Sequence, residues 1–366
     1  MNFSSGIVFL FLIIAVILSW LPPKRFQVHY ISLIGCLFLG YADYLSMIIL
    51  LICSLITYYT TKTNRVKGKY VSIIISILVV VFIYYKRRQF IGGENIVIPL
   101  GLSYYLFRQI HYIFEKYKGT LRKHNFLEYL SFLLLLPPLL VGPIHRFPEF
   151  INDLRRRRWN WERFSLGLER SISGYAKLII IANFLLSNYL EAWIKENLNF
   201  EVDFINALVN SSYMWLDLYI RFSAYSDIAI GFSAMMGFKI MENFNNPFLA
   251  KNINDFWKRW HISLTSWCGE YVYKPIAAIT RKSNFAILSS MAVIGLWHEF
   301  SLRYLLWGFY HAIGIAIQRR WKKLRNKLPE NSKFKRLESI CGTILTIIFV
   351  ISSFPVTSWL KEVIFK

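Results

Sequence analysis

Charge is scarce in this chain. Only 17% of its 366 residues are Asp, Glu, Lys or Arg, against roughly 25% in an ordinary soluble domain. Acidic residues are the scarcer kind: 21 Asp and Glu stand against 43 Lys and Arg, a net charge of +22. The 4 cysteines, Cys36, Cys53, Cys268 and Cys341, form neither a CxxC pair nor a metal-like spacing. That excludes a disulfide scaffold or a thiolate zinc site. There is no GxSxG elbow, no Walker A loop and no dinucleotide fingerprint. His298-Glu299 does not grow into HExxH, because position 302 is Leu. No polar stretch is long enough to hold a core of its own. The longest, Phe147–Arg163 and Arg319–Arg336, are too short. Without an internal repeat either, residues 1–366 read as a single membrane domain.

What the chain has instead is apolar length. Hydrophobic residues make up 55%, and they are concentrated. Gly6–Leu21, Leu45–Thr60 and Tyr70–Tyr85 each run without a charge. A spanning helix needs about 20 mostly apolar residues. These runs approach that length and end in Trp or Tyr, the residues of membrane interfaces. Weaker candidates are Phe126–Val141, Leu178–Leu190, Phe204–Ile220, Ala224–Phe238, Phe285–Trp297, Leu302–Ile317 and Ile340–Trp359. The runs are continuous rather than alternating, which selects helices over a closed barrel. The expected fold is all-α and polytopic, with roughly nine to eleven membrane segments. Gly6–Leu21 reads as the first span rather than a signal peptide: no basic residue precedes it and Pro22-Pro23-Lys24-Arg25 follows. Cys36, Cys53 and Cys341 lie in apolar runs and read as small core residues.

The excess of cations would suggest nucleic acid on a soluble protein. Here the cations cluster between apolar runs, at Lys62–Lys69, Lys116–Lys123, Arg155–Arg158 and Arg319–Lys327. That pattern reads as positive-inside topology and attraction to an anionic lipid bilayer, not as a nucleic-acid surface. A docking surface for an acidic cytoplasmic partner fits the same residues. Charge alternation fails at Lys86-Arg87-Arg88, so Tyr70–Tyr85 is either re-entrant or breaks the rule locally. Pro137-Pro138 and Gly142-Pro143 favour re-entrant backbone, which is tolerated at membrane depth only where protein or a water-filled cavity covers it.

Polar residues inside apolar runs are the informative ones, because a charge there costs roughly 2.5–3.5 kcal/mol on insertion scales. Asp217 and Arg221 are four apart and meet on one helix face, which favours a structural ion pair. Tyr225 and Asp227 follow, and Asp227 has no partner nearby in sequence. In Asp255–Tyr273, Trp257, His261, Leu264 and Cys268 share one face of a helix, and Trp260, Ser263 and Trp267 an adjoining one. Composition makes this an interfacial helix with an aromatic belt. His298 closes a long apolar run. Its residue type suits a general base near neutral pH. On the residues alone, that reading and a structural histidine weigh equally. His298 and His311 are thirteen apart, roughly 220° around one straight helix, so a single helix cannot turn both to one ligand.

The stretch Glu242–Tyr273, with Trp260-His261-Ile262-Ser263-Leu264 at its core, resembles the signature of the membrane-bound O-acyltransferase (MBOAT) family. The likeness is to the bacterial branch of alginate and peptidoglycan O-acetyltransferases and the D-alanine transfer protein of teichoic acids. Gly295-Leu296-Trp297-His298 is similar to the family's catalytic-histidine segment. Pro99–Tyr105, Gly142–Phe147 and Phe222–Gly231 precede it in the expected order, so the resemblance covers about 96–315. It implies a ring of tilted transmembrane and re-entrant helices around a central funnel. It implies a multi-pass protein of the bacterial cytoplasmic (inner) membrane that moves an acyl group from a thioester donor, acetyl-CoA or an acyl-carrier protein, to a hydroxyl of a glycan acceptor. In that reading His298 is the general base and His261 lines the same passage. Asn254, Trp260, Asp227, Tyr225 and Trp297 contact substrate, and neither a metal nor a tightly bound cofactor is needed.

Acetyl transfer to an exported polysaccharide is the first expectation, because Gly142–Phe150 reads closer to the acetyl branch. D-alanyl transfer from a carrier protein is the alternative. A transporter, or a scaffold for a secreted acyltransferase, is a further one. Four departures bear on the acceptor: Arg221 where Asp is usual, Ala224 for Gly, Gly269-Glu270 for Arg-Asp, and Glu299-Phe300 for a small pair.

Overall fold

The computed structural model describes residues 5–62, 67–91, 101–198, 200, 202–326 and 332–364. Pro99 and Leu100 of one motif, and residues 63–66 of one basic loop, lie outside the described residues. Among the described residues every regular element is helical. They form two compact units, Met1–Ile180 with Phe222–Glu242, and Ile181–Arg221 with Asn243–Lys366.

The first unit opens with α1 (Gly6–Trp20), α2 (Gln27–Ala42), α3 (Tyr44–Thr60) and α4 (Gly68–Ile91). Pro22-Pro23 ends α1, since neither residue can donate the next helical hydrogen bond. Asp43 starts α3 by accepting the Leu45 N–H at 3.1 Å. On α4 the exposed residues Ile73, Ile77, Val80 and Tyr84 fall on one face, an apolar stripe suited to lipid. This helix runs unbroken through Lys86 and Arg87, so the basic residues close the helix itself and not a re-entrant turn.

α5 (Leu102–Lys118), α6 (Phe126–Leu133), α7 (Leu136–Leu140) and α8 (Phe147–Arg156) follow. Asn125 and Glu128 cap α6 reciprocally at 2.8 and 2.9 Å. α7 is a short helix that carries Pro137 and Pro138 in its first turn, and all five of its residues are buried. Pro137 has no N–H for the Leu133 carbonyl. The fully buried Arg108 supplies the donor instead, at 3.1 Å, and its other terminal nitrogen bonds to the Pro138 carbonyl. Arg157 does the same at α1: it is buried beneath Trp20 and donates to the Ser19 carbonyl, which Pro23 leaves free, at 2.9 Å. The basic run Arg155–Arg158 is therefore no uniform surface patch. Arg157 points inward, and Arg155 pairs with Glu128 at 3.1 Å.

α9 (Trp161–Ala176) continues through a π-helical stretch, Lys177–Leu190, into α10 (Glu191–Asn197). α11 (Asp203–Met235) joins two segments that the sequence separates at Arg221. The break does not occur because Arg221 is neutralised without one. It bonds Asp217 one turn back at 2.8 Å, Asn183 at 2.6 Å and Ser187 at 2.6 Å, all within the second unit. In the first unit Gly231 allows the second half of α11 to meet α9 closely, since a Cβ there would strike the Ser171 side chain and the Gly167 backbone.

The second unit adds α12 (Ile253–Arg259), α13 (Ile262–Cys268), a π-helical turn Gly269–Tyr273, α14 (Lys274–Thr280), α15 (Ser283–His298), α16 (Leu302–Arg325) and α17 (Ser332–Ile364). Pro355 lies inside α17 and leaves the Ile351 carbonyl without its helical donor. The Ser211 hydroxyl of α11 takes that carbonyl at 2.6 Å. Cys341 is exposed on α17 and not in the core, because the flank of this helix faces outward. Among the described residues three helices are long and apolar enough to cross a membrane: Gly68–Arg87, Trp161–Asn197 and Leu337–Val363. Gly6–Trp20 and Tyr44–Thr60 are shorter apolar helices.

These substituted hydrogen bonds are testable. Ser211→Ala is expected to cost about 1 kcal/mol. In a Pro355→Ala background, which restores an N–H for Ile351, the same change should cost close to nothing. Unfolding of the detergent-solubilised protein measures the cycle, and an equal cost in both backgrounds rejects the account. Arg108→Met loses charged bonds to two buried carbonyls, and its cost should reach about 3 kcal/mol or more.

Candidate active site

The two histidines of interest both lie in the second unit. His261 is not on the face of a helix with Trp257 and Cys268, as simple periodicity suggests. The chain breaks between α12 and α13, and His261 stands at the break with φ 44°, in the left-handed region. A bulky residue seldom adopts that conformation. The surroundings enforce it. Asn243 is fully buried; its carbonyl accepts the Ile262 N–H at 2.9 Å and its side-chain oxygen accepts the Ser263 hydroxyl at 2.6 Å. On the other side of the break Asn245 donates its N–H to the Arg259 carbonyl at 3.0 Å. The segment Asn243–Asn245 therefore clamps the end of α12 to the start of α13. The carbonyl of His261 caps α13 by accepting Leu264 and Thr265 N–H, both at 3.0 Å.

The tryptophans here form a wall and not an interfacial belt. Trp257, Trp260 and Trp267 are 4%, 3% and 3% exposed. Trp260 stacks on Phe256 at 5.6 Å and meets Trp215 of α11 edge-on at 5.0 Å. Asn254 sits half-buried on α12.

His298 is the last residue of α15. The chain turns through Glu299–Ser301, and Ser301 restarts the helix as the cap of α16. The two helices then pack backbone to backbone. A Cβ on Gly295 would strike the Tyr304 carbonyl, and one on Gly308 the Met291 carbonyl. This hairpin gathers a cage around His298: Trp297 at 4.7 Å, Trp307 at 5.6 Å and Tyr304 stacked at 6.0 Å between ring centres. Trp297 also touches the His261 ring, at 5.4 Å, so one indole contacts both histidines. His261 is 1% exposed, whereas His298 is partly accessible. His311, which one helix could not share with His298, reaches the same cage. The turn puts it on the next helix, 4.5 Å from Trp307. Trp307 itself is fixed by donating to the Ser353 hydroxyl at 3.1 Å.

Of the residues expected to contact substrate, Asn254, Trp260 and Trp297 share this unit with His261 and His298. Tyr225 and Asp227 belong to the other unit. There Asp227 takes up two cations, Arg170 at 3.0 Å and Lys177 at 2.6 Å, and Arg170 forks onto Glu242 as well. The partner that Asp227 lacks in sequence thus comes from α9. Tyr304 and Trp307 escaped the sequence reading. Their signal was present: they fall on one face of the helix that follows the Ser301 cap. Among the described residues no group of three His, Cys, Asp or Glu side chains is placed to hold a metal ion.

Gly295→Val is expected to force α15 and α16 apart and to cost about 1–3 kcal/mol. Gly269→Ala is the control, because nothing lies within 4 Å of its added Cβ. Thermal denaturation in detergent reads both; an equal response of the two variants would contradict the close packing.

Comparison with known proteins bears on this site. The profile of the MBOAT, membrane-bound O-acyltransferase family, matches residues 37–358. The probable alginate O-acetylase AlgI of Pseudomonas aeruginosa is 35% identical over 230 residues, 62% of this chain and 43% of the relative. The teichoic acid D-alanyltransferase of Bacillus subtilis is 30% identical over 284 residues, 72% of this chain and 70% of the relative. The peptidoglycan O-acetyltransferase of Helicobacter pylori is 27% identical over 266 residues, 64% of this chain and 50% of the relative. The chain thus spans about half the length of several relatives it matches. With nearly its whole sequence under the family profile, and Trp297-His298 set in an aromatic cage, the chain belongs to the membrane-bound O-acyltransferase family.

Proposed function

We propose that this chain is a membrane O-acyltransferase that moves an acyl group, acetyl first, from a thioester donor to a hydroxyl of a cell-surface or exported polysaccharide. The observation that carries the reading is the setting of His298. Its ring is partly accessible at the open end of α15, while the aromatic residues behind it and His261 beside Trp297 are buried. An accessible imidazole on a dry, rigid wall suits a general base.

In this mechanism a ring nitrogen of His298 takes the proton of the acceptor hydroxyl as its oxygen attacks the thioester carbonyl. The C–O bond forms, the tetrahedral intermediate collapses, and the C–S bond breaks. The thiolate leaves and recovers the proton from His298. His261, which touches Trp297, and Trp260 and Asn254 of the same unit are the groups proposed to orient the donor and to meet the developing oxyanion. Tyr225 and Asp227 are proposed substrate contacts on the sequence resemblance alone. A funnel within a helix ring in the bacterial cytoplasmic membrane is proposed on the sequence resemblance. The donor is acetyl-CoA or an acyl-carrier protein; the exposed cations of the basic loops suit an acidic carrier. A secreted acyltransferase is a further candidate partner.

D-alanyl transfer to a teichoic-acid-like polymer is the second reading. One observation favours it: the teichoic acid D-alanyltransferase matches over 70% of its own length, against 43% for the alginate O-acetylase.

Proteoliposomes supplied with labelled acetyl-CoA or labelled D-alanyl carrier protein, each with a polymer acceptor, separate the two donors. His298→Ala is expected to lower transfer by about 10²–10⁴-fold at unchanged protein level. Undiminished transfer by that variant would sink the general-base assignment. Transfer from neither donor would sink the enzyme reading.

A further inference from the structure

One cleft of the second unit lies beside the His298 cage without belonging to it. It has a volume of about 750 Å³ and runs between the first turns of α11 and the last turns of α17, with Arg303 of α16 on its lining. Phe354 backs it and stacks on Trp307 at 6.0 Å, so one wall serves both cleft and cage.

Arg303 is on its lining, its guanidinium 5.6 Å from the Phe354 ring centre and 6.0 Å from that of Tyr304. Tyr304 in turn stacks on His298 at 6.0 Å. Arg303 is half-buried, and its Nε is shielded from solvent with no hydrogen-bond partner among the described residues. It makes no ion pair among them either. The two carboxylates on the lining, Asp203 and Glu362, are exposed. Ser211 of the lining bonds to Ile351 of α17. At 1.5 Å per residue, Asp203 lies about 12 Å along α11 from that bond, and Glu362 about 16 Å along α17. Ser211, Asn210 and Ser358 supply further hydroxyl and amide groups to the lining.

A guanidinium that lines a roomy cleft, with its Nε shielded from water and unpartnered among the described residues, is open to an anion. Arg303 is the cation on this lining. We infer that this cleft is the acceptor subsite, and that Arg303 binds an anionic group, phosphate or carboxylate, carried by the polyhydroxyl acceptor. Held there, the acceptor lies one aromatic ring from His298, with a neighbouring hydroxyl turned to the base. Arg303 is thus a specificity-determining residue for the acceptor. The inference rests on the acyltransferase reading for its role, though not for the binding itself.

Binding is measured on the full chain in phosphatidylcholine nanodiscs, with three probes of equal length: a glycerol-phosphate oligomer, an oligouronate and a neutral oligosaccharide. At least one anionic probe should bind tenfold or more tighter than the neutral one, and the tighter of the two names the anion. Arg303→Gln should erase that preference, and Arg303→Lys should recover part of it. His298→Ala should keep it. If the anionic probes bind no better than the neutral one, or bind Arg303→Gln as they bind the wild type, the inference is overturned. Arg303-dependent capture of phosphatidylglycerol that excludes both oligomers overturns it in favour of a lipid headgroup. An Arg303-dependent preference in a protein that transfers no acyl group upholds the subsite and removes the transferase reading alone.

Discussion

A carbonyl that a proline strips of its donor, and that water cannot reach, must find another partner. In hydrocarbon an unsatisfied backbone group costs several kcal/mol. Among the described residues three such carbonyls meet this constraint in the same way. Arg108 serves Leu133 in front of Pro137, Arg157 serves Ser19 in front of Pro23, and Ser211 serves Ile351 in front of Pro355. Each donor comes from a different part of the chain. Each proline therefore becomes a cross-link as well as a break, and the broken helices can stay buried. Two of the donors are arginines, whose forked guanidinium reaches two acceptors at once.

The candidate site depends on the same logic of interruption and repair. At Trp260-His261 the helix stops, and the buried Asn243 holds both sides of the break. At Glu299–Ser301 the chain turns and Ser301 restarts it. Had either stretch stayed one straight helix, His261 and His298 would point along helix faces. Broken, both reach Trp297. The glycines at 295 and 308 draw α15 and α16 close enough for Trp307 to contact His298 on one side and His311 on the other. Position is fixed by aromatic packing and backbone contact, which suits chemistry that needs a proton moved at one place on a dry wall.

Much of this was legible beforehand, for physical reasons. Only helices and closed barrels satisfy the backbone in lipid, and apolar runs that are continuous rather than alternating select helices. The i, i+4 spacing of Asp217 and Arg221 foretold their bond, and Pro137-Pro138 foretold a short buried element. The local breaks were harder. Trp260-His261 carries neither proline nor glycine, so periodicity ran through it and gave a false face to Trp257, His261 and Cys268. Arg221 looked like a boundary because a lone cation ends an apolar run. It does not end the helix, since Asn183 and Ser187 lie beside it only after folding.

The sequence by itself determined the helical class and the order of the family motifs, and it singled out His298 at the end of an apolar run. These follow from composition, spacing and residue type, all of which are local along the chain. Tertiary structure alone decided which distant groups meet. It gave Asp227 to Arg170 and Lys177, placed Trp297 against His261, and left Arg303 lining a cleft without an ion pair among the described residues. Such pairings join residues distant in sequence, and no local period encodes them.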